Sequence, residues 1–144
     1  MKIIAEIGSV HNGNLQFAKS LIKHAANSSA DIVKFQMHIA EHETLKDAPS
    51  PKYFKSEDRY SYFKRTSFNF KQWKIIKSTC DKYGVEFLCS PFSLEAVDLL
   101  EELKVKKYKI PSGEVTNIPL LEKVANTKKP ILLSTGMSNF NEIQ

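Results

Sequence analysis

Short apolar runs alternate along the chain with longer stretches whose apolar residues recur at helical spacing, the order expected of successive βα units on a parallel sheet. Ile3 to Ile7 predicts a first strand, and Leu15, Ala18, Leu21, Ile22, Ala25 and Ala26 fall on one stripe of a first helix. Asp31 to Gln36 predicts the second strand. A helix is expected from Phe70 to Tyr83, burying Trp73, Ile76, Cys80 and Tyr83, with Asn69 as its N-cap and Gly84 as its stop. Glu86 to Cys89 predicts a third strand, after which Ser93 caps a helix that buries Ala96, Val97, Leu100 and Leu103. Lys106 to Ile110 and Pro130 to Ser134 predict the fourth and fifth strands, separated by a helix that starts near Asn117 with Pro119 in its first turn. Beyond the fifth strand, Thr135-Gly136-Met137 turns toward Ser138, the expected cap of a further helix.

One segment breaks this rhythm. From Met37 to Phe68 about thirty residues separate a strand from its helix, where two to six are usual, and long connections of this kind serve as active-site covers or stay disordered. Tyr53, Phe54, Tyr60, Tyr62 and Phe63 favour an ordered cover.

Composition narrows the class. The 144 residues are 42% hydrophobic and 26% charged, which suits one sizeable core and excludes disordered and fibrous folds. No window approaches the roughly 18 apolar residues of a membrane span, and Glu6 interrupts any signal-peptide apolar region, so a cytoplasmic protein is expected. The net charge of +5 comes from 21 basic and 16 acidic residues, but only Arg59 and Arg65 are arginines, which argues against a nucleic-acid partner. Lys71, Lys74, Lys77 and Lys82 recur on the polar side of the Phe70–Tyr83 helix pattern, as on a solvated face. Cys80 and Cys89 each sit in an apolar pattern and are expected to be buried free thiols.

The chemistry gathers at the carboxyl ends of the strands. Glu6, Lys34, Gln36, Ser90, Lys109 and Ser134 are polar side chains at the ends of five apolar strands, and a buried polar group without a partner costs on the order of 1–3 kcal/mol. One account is structural, an ion pair of Glu6 with Lys34 or Lys109. The other is a site, because barrel and open α/β folds place chemistry at these ends. Two lysines with several hydroxyls suit a small anion such as a phosphate or carboxylate. After the fourth strand, Ser112 offers a hydroxyl, Gly113 permits a tight turn and Glu114 can act as acid or base; after the fifth, Ser134-Thr135-Gly136 repeats the hydroxyl and glycine pair.

Two histidine motifs carry less. His38-Ile39-Ala40-Glu41-His42 matches an H-x-x-E-H zinc pattern but follows a strand directly, so loop histidines are expected rather than a peptidase metal site. His11, on the Asn12-Gly13 turn, is open to either a functional or a structural role.

Taken together, Ala5-Glu6-Ile7-Gly8 with His11-Asn12-Gly13, Val33-Lys34-Phe35-Gln36, Phe87-Leu88-Cys89-Ser90-Pro91-Phe92, Lys109-Ile110-Pro111-Ser112-Gly113-Glu114 and Leu133-Ser134-Thr135-Gly136-Met137 resemble the sialic acid synthase family. The resemblance implies a (β/α)8 TIM barrel, of which residues 1–144 would be the amino-terminal portion with about the first five βα units. It implies condensation of phosphoenolpyruvate with N-acetylmannosamine or a related N-acylated hexosamine, giving N-acetylneuraminate or a related nonulosonate and phosphate. Lys34, Lys109, Ser112 and Ser134 would hold phosphoenolpyruvate with Ser90 nearby; Glu6, Gln36 and Glu114 would face the sugar or the reacting carbons, with Glu114 handling a proton or water. A divalent metal, Mn2+ or Mg2+, would polarise the aldehyde. Its histidine ligands, and an antifreeze-like domain that covers a partner's site in a homodimer, would lie beyond Gln144. The chain departs from the family at Val10, Ser90 and Pro111, which bears on sugar preference. Two alternatives stand beside this one: a Schiff-base aldolase using Lys34 or Lys109, and a non-catalytic fragment that only binds phosphoenolpyruvate.

Overall fold

A computed structural model describes residues 1–49 and 57–143. Tyr53 and Phe54, expected in the ordered cover, lie outside the described residues. The strands are β1 (Ile4–Gly8), β2 (Ile32–Met37), β3 (Glu86–Pro91), β4 (Tyr108–Ile110) and β5 (Ile131–Leu133). The helices are α1 (Leu15–Asn27), α2 (Ala40–Glu43), α3 (Arg59–Thr66), α4 (Phe70–Tyr83), α5 (Leu94–Glu102), α6 (Ile118–Asn126) and α7 (Phe140–Ile143), with a one-turn 3-10 segment at Ser112–Glu114.

All strand pairs are parallel, as the alternation with helices demands. They form two ladders rather than the single sheet expected: β1-β2-β3, and β4-β5. β4 still packs beside β3, so the two ladders continue one another in space. Register places Glu6 beside Lys34, Lys34 beside Leu88, and Gln36 beside Ser90.

The alternation of side chains divides β2 between two environments. Val33 and Phe35 point into the core, where Phe35 meets Trp73 of α4 edge-on and Phe87 of β3 in a stack. Lys34 and Gln36 point to the opposite face. Helix α4 occupies the predicted span, its start fixed by a capping box between Asn69 and Gln72 and its end by Gly84 in the left-handed conformation. Its buried side carries Trp73, Ile76, Thr79 and Cys80, while Tyr83 is only partly covered. Cys80 and Cys89 are buried free thiols; burial pushes Cys80 up to about 12 and Cys89 higher still.

Three expectations need correction. The last helix is capped by Asn139 rather than Ser138, since the Asn139 side chain accepts from the Glu142 amide at 3.2 Å. Strand β5 does not lie in a covered layer: Ile131, Leu132 and Leu133 are 38%, 39% and 43% exposed. Glu6 is likewise open, with a side chain 55% exposed, because nothing among the described residues covers the inner face of β1.

The long connection after β2 is built in part from α2 and α3, clamped onto the strand ends. Ser67 Oγ donates to the His38 carbonyl at 2.8 Å, Lys64 pairs with Glu41 at 3.2 Å, and the Arg65 guanidinium donates to Asn12 Oδ1. No described helix is long and apolar enough to cross a membrane.

Candidate functional site

Lys34, on the inner face of β2, is brought against Glu6 of β1 by the register, with Nζ 2.9 and 2.8 Å from the two carboxylate oxygens. The expected structural ion pair is therefore present, with a buried lysine and an exposed acid. Lys109, from β4, lies close enough to feel both groups. Its Nζ donates to Ser134 Oγ at 2.5 Å and to the Ile110 carbonyl at 2.7 Å. Burial holds the Lys109 ammonium below its ordinary value, Lys34 pushes it further down, and Glu6 opposes them. Glu6, Lys34, Lys109 and Ser134 thus form one cluster with two cations and one carboxylate, a field that favours an arriving anion.

Gln36 and Ser90 extend the same face of the sheet. Gln36 Oε1 accepts from Ser9 Oγ at 3.3 Å and lies 3.5 Å from His38 Nε2. Ser90 Oγ is fully buried with no partner among the described residues. A buried hydroxyl without a partner costs folding energy, so Ser90→Ala should leave the free chain as stable or about 1 kcal/mol more stable in a thermal melt.

Glu114 does not join the cluster. The 3-10 turn that begins at Ser112 directs its carboxylate to Asn117, whose Nδ2 donates at 2.8 Å. There Glu114 lines a cleft of about 390 Å³ with His42, Glu43, Arg59, Ser93 and Glu95. Ser112, half-buried at the start of that turn, sits between the two regions in sequence.

His11 has a structural setting. It is buried against Phe68 at 4.4 Å, its Nδ1 accepts the Gly13 amide at 3.2 Å, and its Nε2 has no partner among the described residues. Burial pushes it down to about 4, the Gly8 backbone opposing this and His38 adding to it, so the ring is neutral at pH 7. His38 lies in the loop between β2 and α2, as expected. It is buried, with Nδ1 2.8 Å from Glu43 and its ring between Phe63 and Phe92. The H-x-x-E-H spacing flagged this histidine, but its carboxylate partner is Glu43, just beyond the motif, and its ring partners come from segments distant in sequence.

The pattern that defines the NeuB family matches residues 21–144. The chain belongs to the NeuB family. It is 44% identical to the N,N'-diacetyllegionaminic acid synthase of Campylobacter jejuni, a match covering 99% of this chain and 44% of that protein. It is 34% identical to the N-acetylneuraminate-9-phosphate synthase of Mus musculus, over 99% of this chain and 41% of the relative. This NeuB chain therefore spans less than half the length of the curated relatives it matches. Among solved structures, the N-acetylneuraminic acid (sialic acid) synthetase of Leptospira borgpetersenii in complex with citrate superposes with a TM-score of 0.84 at 30% identity, over 98% of this chain and 46% of that one. A truncated 3-deoxy-D-arabino-heptulosonate 7-phosphate synthase from Thermotoga maritima shares the fold, with a TM-score of 0.67 at 14% identity.

Proposed function

We propose that the protein is a nonulosonate synthase that condenses phosphoenolpyruvate with N-acetylmannosamine or a related N-acylated hexosamine, releasing phosphate, and that its five strands are the first part of a (β/α)8 barrel. The observation that supports this most is the placement of Lys34 and Lys109 on either side of β3, sharing one neutralising carboxylate, with Ser134 on the Lys109 ammonium. A dianion such as phosphoenolpyruvate supplies the negative charge this cluster lacks.

In this reading Lys34, Lys109, Ser112 and Ser134 bind the phosphate and carboxylate, and the Ser90 hydroxyl meets the ligand as its missing partner. Glu6 and Gln36 face the sugar side. Glu114, in its own cleft with Asn117, handles a proton or water, which assigns that cleft to the sugar. The carbon chemistry balances without a redox step: C3 of phosphoenolpyruvate bonds to the sugar aldehyde carbon, the aldehyde oxygen takes a proton, water adds at C2, and phosphate leaves with the former C2–O bond pair.

A divalent metal, Mn2+ or Mg2+, belongs to this proposal through the family resemblance. The described residues do not fit one: no three of their His, Cys, Asp or Glu side chains are placed to hold an ion, and His38 and His42 face Glu43 and Glu95. The binding roles above do not depend on it.

The lowered Lys109 pKa sets an expected pH dependence. An anion binds the protonated ammonium, so affinity for phosphoenolpyruvate should fall as pH rises through the Lys109 pKa, which lies below the ordinary 10.5. Folding stability runs the other way. The folded state disfavours the charged lysine, so this group's contribution improves as pH rises from the lowered value toward 10.5. Calorimetric titrations across the alkaline range check the first, and melts over the same range check the second.

A lowered lysine pKa also suits a Schiff-base aldolase. The two readings separate on two assays of the complete gene product. Phosphate release that requires both the aminosugar and an added divalent metal supports the synthase; a borohydride-trapped adduct of pyruvate on Lys109 supports the aldolase and would overturn it.

A further inference from the structure

The buried pair of His38 and Glu43 is given no binding role above, yet it lies beside Gln36, which has one. His38 Nδ1 lies 2.8 and 3.0 Å from the two carboxylate oxygens of Glu43, and the two side chains are only 5% and 4% exposed. The ring is covered on both faces, by Phe63 of α3 at 3.9 Å and 15° and by Phe92 after β3 at 4.1 Å and 23°. Its own carbonyl accepts from Ser67 Oγ.

A ring stacked on both faces and bonded along one edge cannot turn, so the direction of its other nitrogen is fixed. That nitrogen, Nε2, is aimed at Gln36 Oε1, the same oxygen that Ser9 Oγ reaches. A side-chain amide has two orientations that differ only in which end is oxygen, and its partners decide between them. Here both partners meet the oxygen, and the NH2 end has no partner among the described residues.

We infer that His38, anchored by Glu43 and held between Phe63 and Phe92, is a positioning residue that fixes the Gln36 amide with its NH2 end toward the substrate, where it meets an acceptor oxygen. Through this contact α2 and α3 become part of the binding geometry of β2 rather than a lid that merely sits over it. The inference rests on the reading of Gln36 as a substrate contact.

His38→Phe keeps a stackable ring and deletes both ring hydrogen bonds. In the complete enzyme it should lower kcat about tenfold while KM for phosphoenolpyruvate stays within about twofold, because the lysine cluster is untouched; Glu43→Gln should show a smaller loss of the same kind. In a Gln36→Ala background, His38→Phe should cost nothing more, since its effect travels through an amide that is gone. Independently of turnover, the side-chain NH2 resonances of Gln36 should report one restrained environment in the wild type and an averaged one in His38→Phe. If His38→Phe does not fold, Glu43→Gln carries the same comparisons. Losses that add fully in the Gln36→Ala background, or Gln36 resonances indifferent to both substitutions, would overturn the inference. A wild type that releases no phosphate would defeat the functional reading alone, because the amide resonances still test the positioning.

Discussion

Lys34→Gln is expected to lower phosphoenolpyruvate-dependent turnover by about 10²- to 10³-fold, more than Lys109→Gln, because it changes the site in two ways at once. It removes one of two cations, and it releases Glu6 from a pair in which Nζ sits 2.8 Å from the carboxylate. A carboxylate without its lysine faces the incoming anion and repels it. Lys109→Gln also removes a cation but leaves Lys34 and Glu6 paired. A second effect should accompany the first. Lys34 is one of the groups holding Lys109 below its ordinary pKa while Glu6 pulls the other way, so in Lys34→Gln the Lys109 pKa should rise. Steady-state kinetics and the alkaline limb of the pH profile read the two effects separately.

Gly13→Ala should be the most damaging single change to the fold outside the core. Gly13 has φ +74°, and an added Cβ would lie 2.4 Å from the Arg65 carbonyl, which belongs to backbone and cannot swing aside. The left-handed conformation costs a side chain roughly 1–2 kcal/mol, and the clash adds a comparable amount, for a total near ~3 kcal/mol. For a chain of this size that is a fall of about 10 °C in Tm, readable by calorimetry or circular dichroism. The same clash would lift the end of α3 from the β1–α1 loop, so loosening should appear in amide exchange at Arg65 and Thr66 before it reaches β2 and β3.

The element order was legible because its signals are local. Asn69, Gln72 and Gly84 bracket α4 with chemistry that acts within one turn, and Ser93 and Pro119 mark their helices in the same way. The cationic cluster was also legible, because residues two apart in a strand share a face and parallel register then sets Glu6 against Lys34. What the pattern does not carry is whether a face is covered. Ile131, Leu132 and Leu133 have the composition of a buried strand, but their exposure depends on what packs against them. Glu114 was placed with the lysines because it follows β4 closely, and the 3-10 turn sends it to Asn117 instead. His38 escaped for a related reason: the rings that enclose it, Phe63 and Phe92, come from α3 and from the loop after β3, and no window of sequence contains both.

Shared recognition of one anion by β2 and β4 is most directly tested by nuclear magnetic resonance of the protein labelled at lysine Cε, titrated with phosphoenolpyruvate. The Lys34 and Lys109 signals should move together at the same ligand concentration, and the Lys109 titration should shift upward in the complex as its repulsion from Lys34 is compensated. If those two signals stay still while lysines of the outer α4 face, such as Lys71 or Lys82, respond instead, the strand ends do not form the binding site.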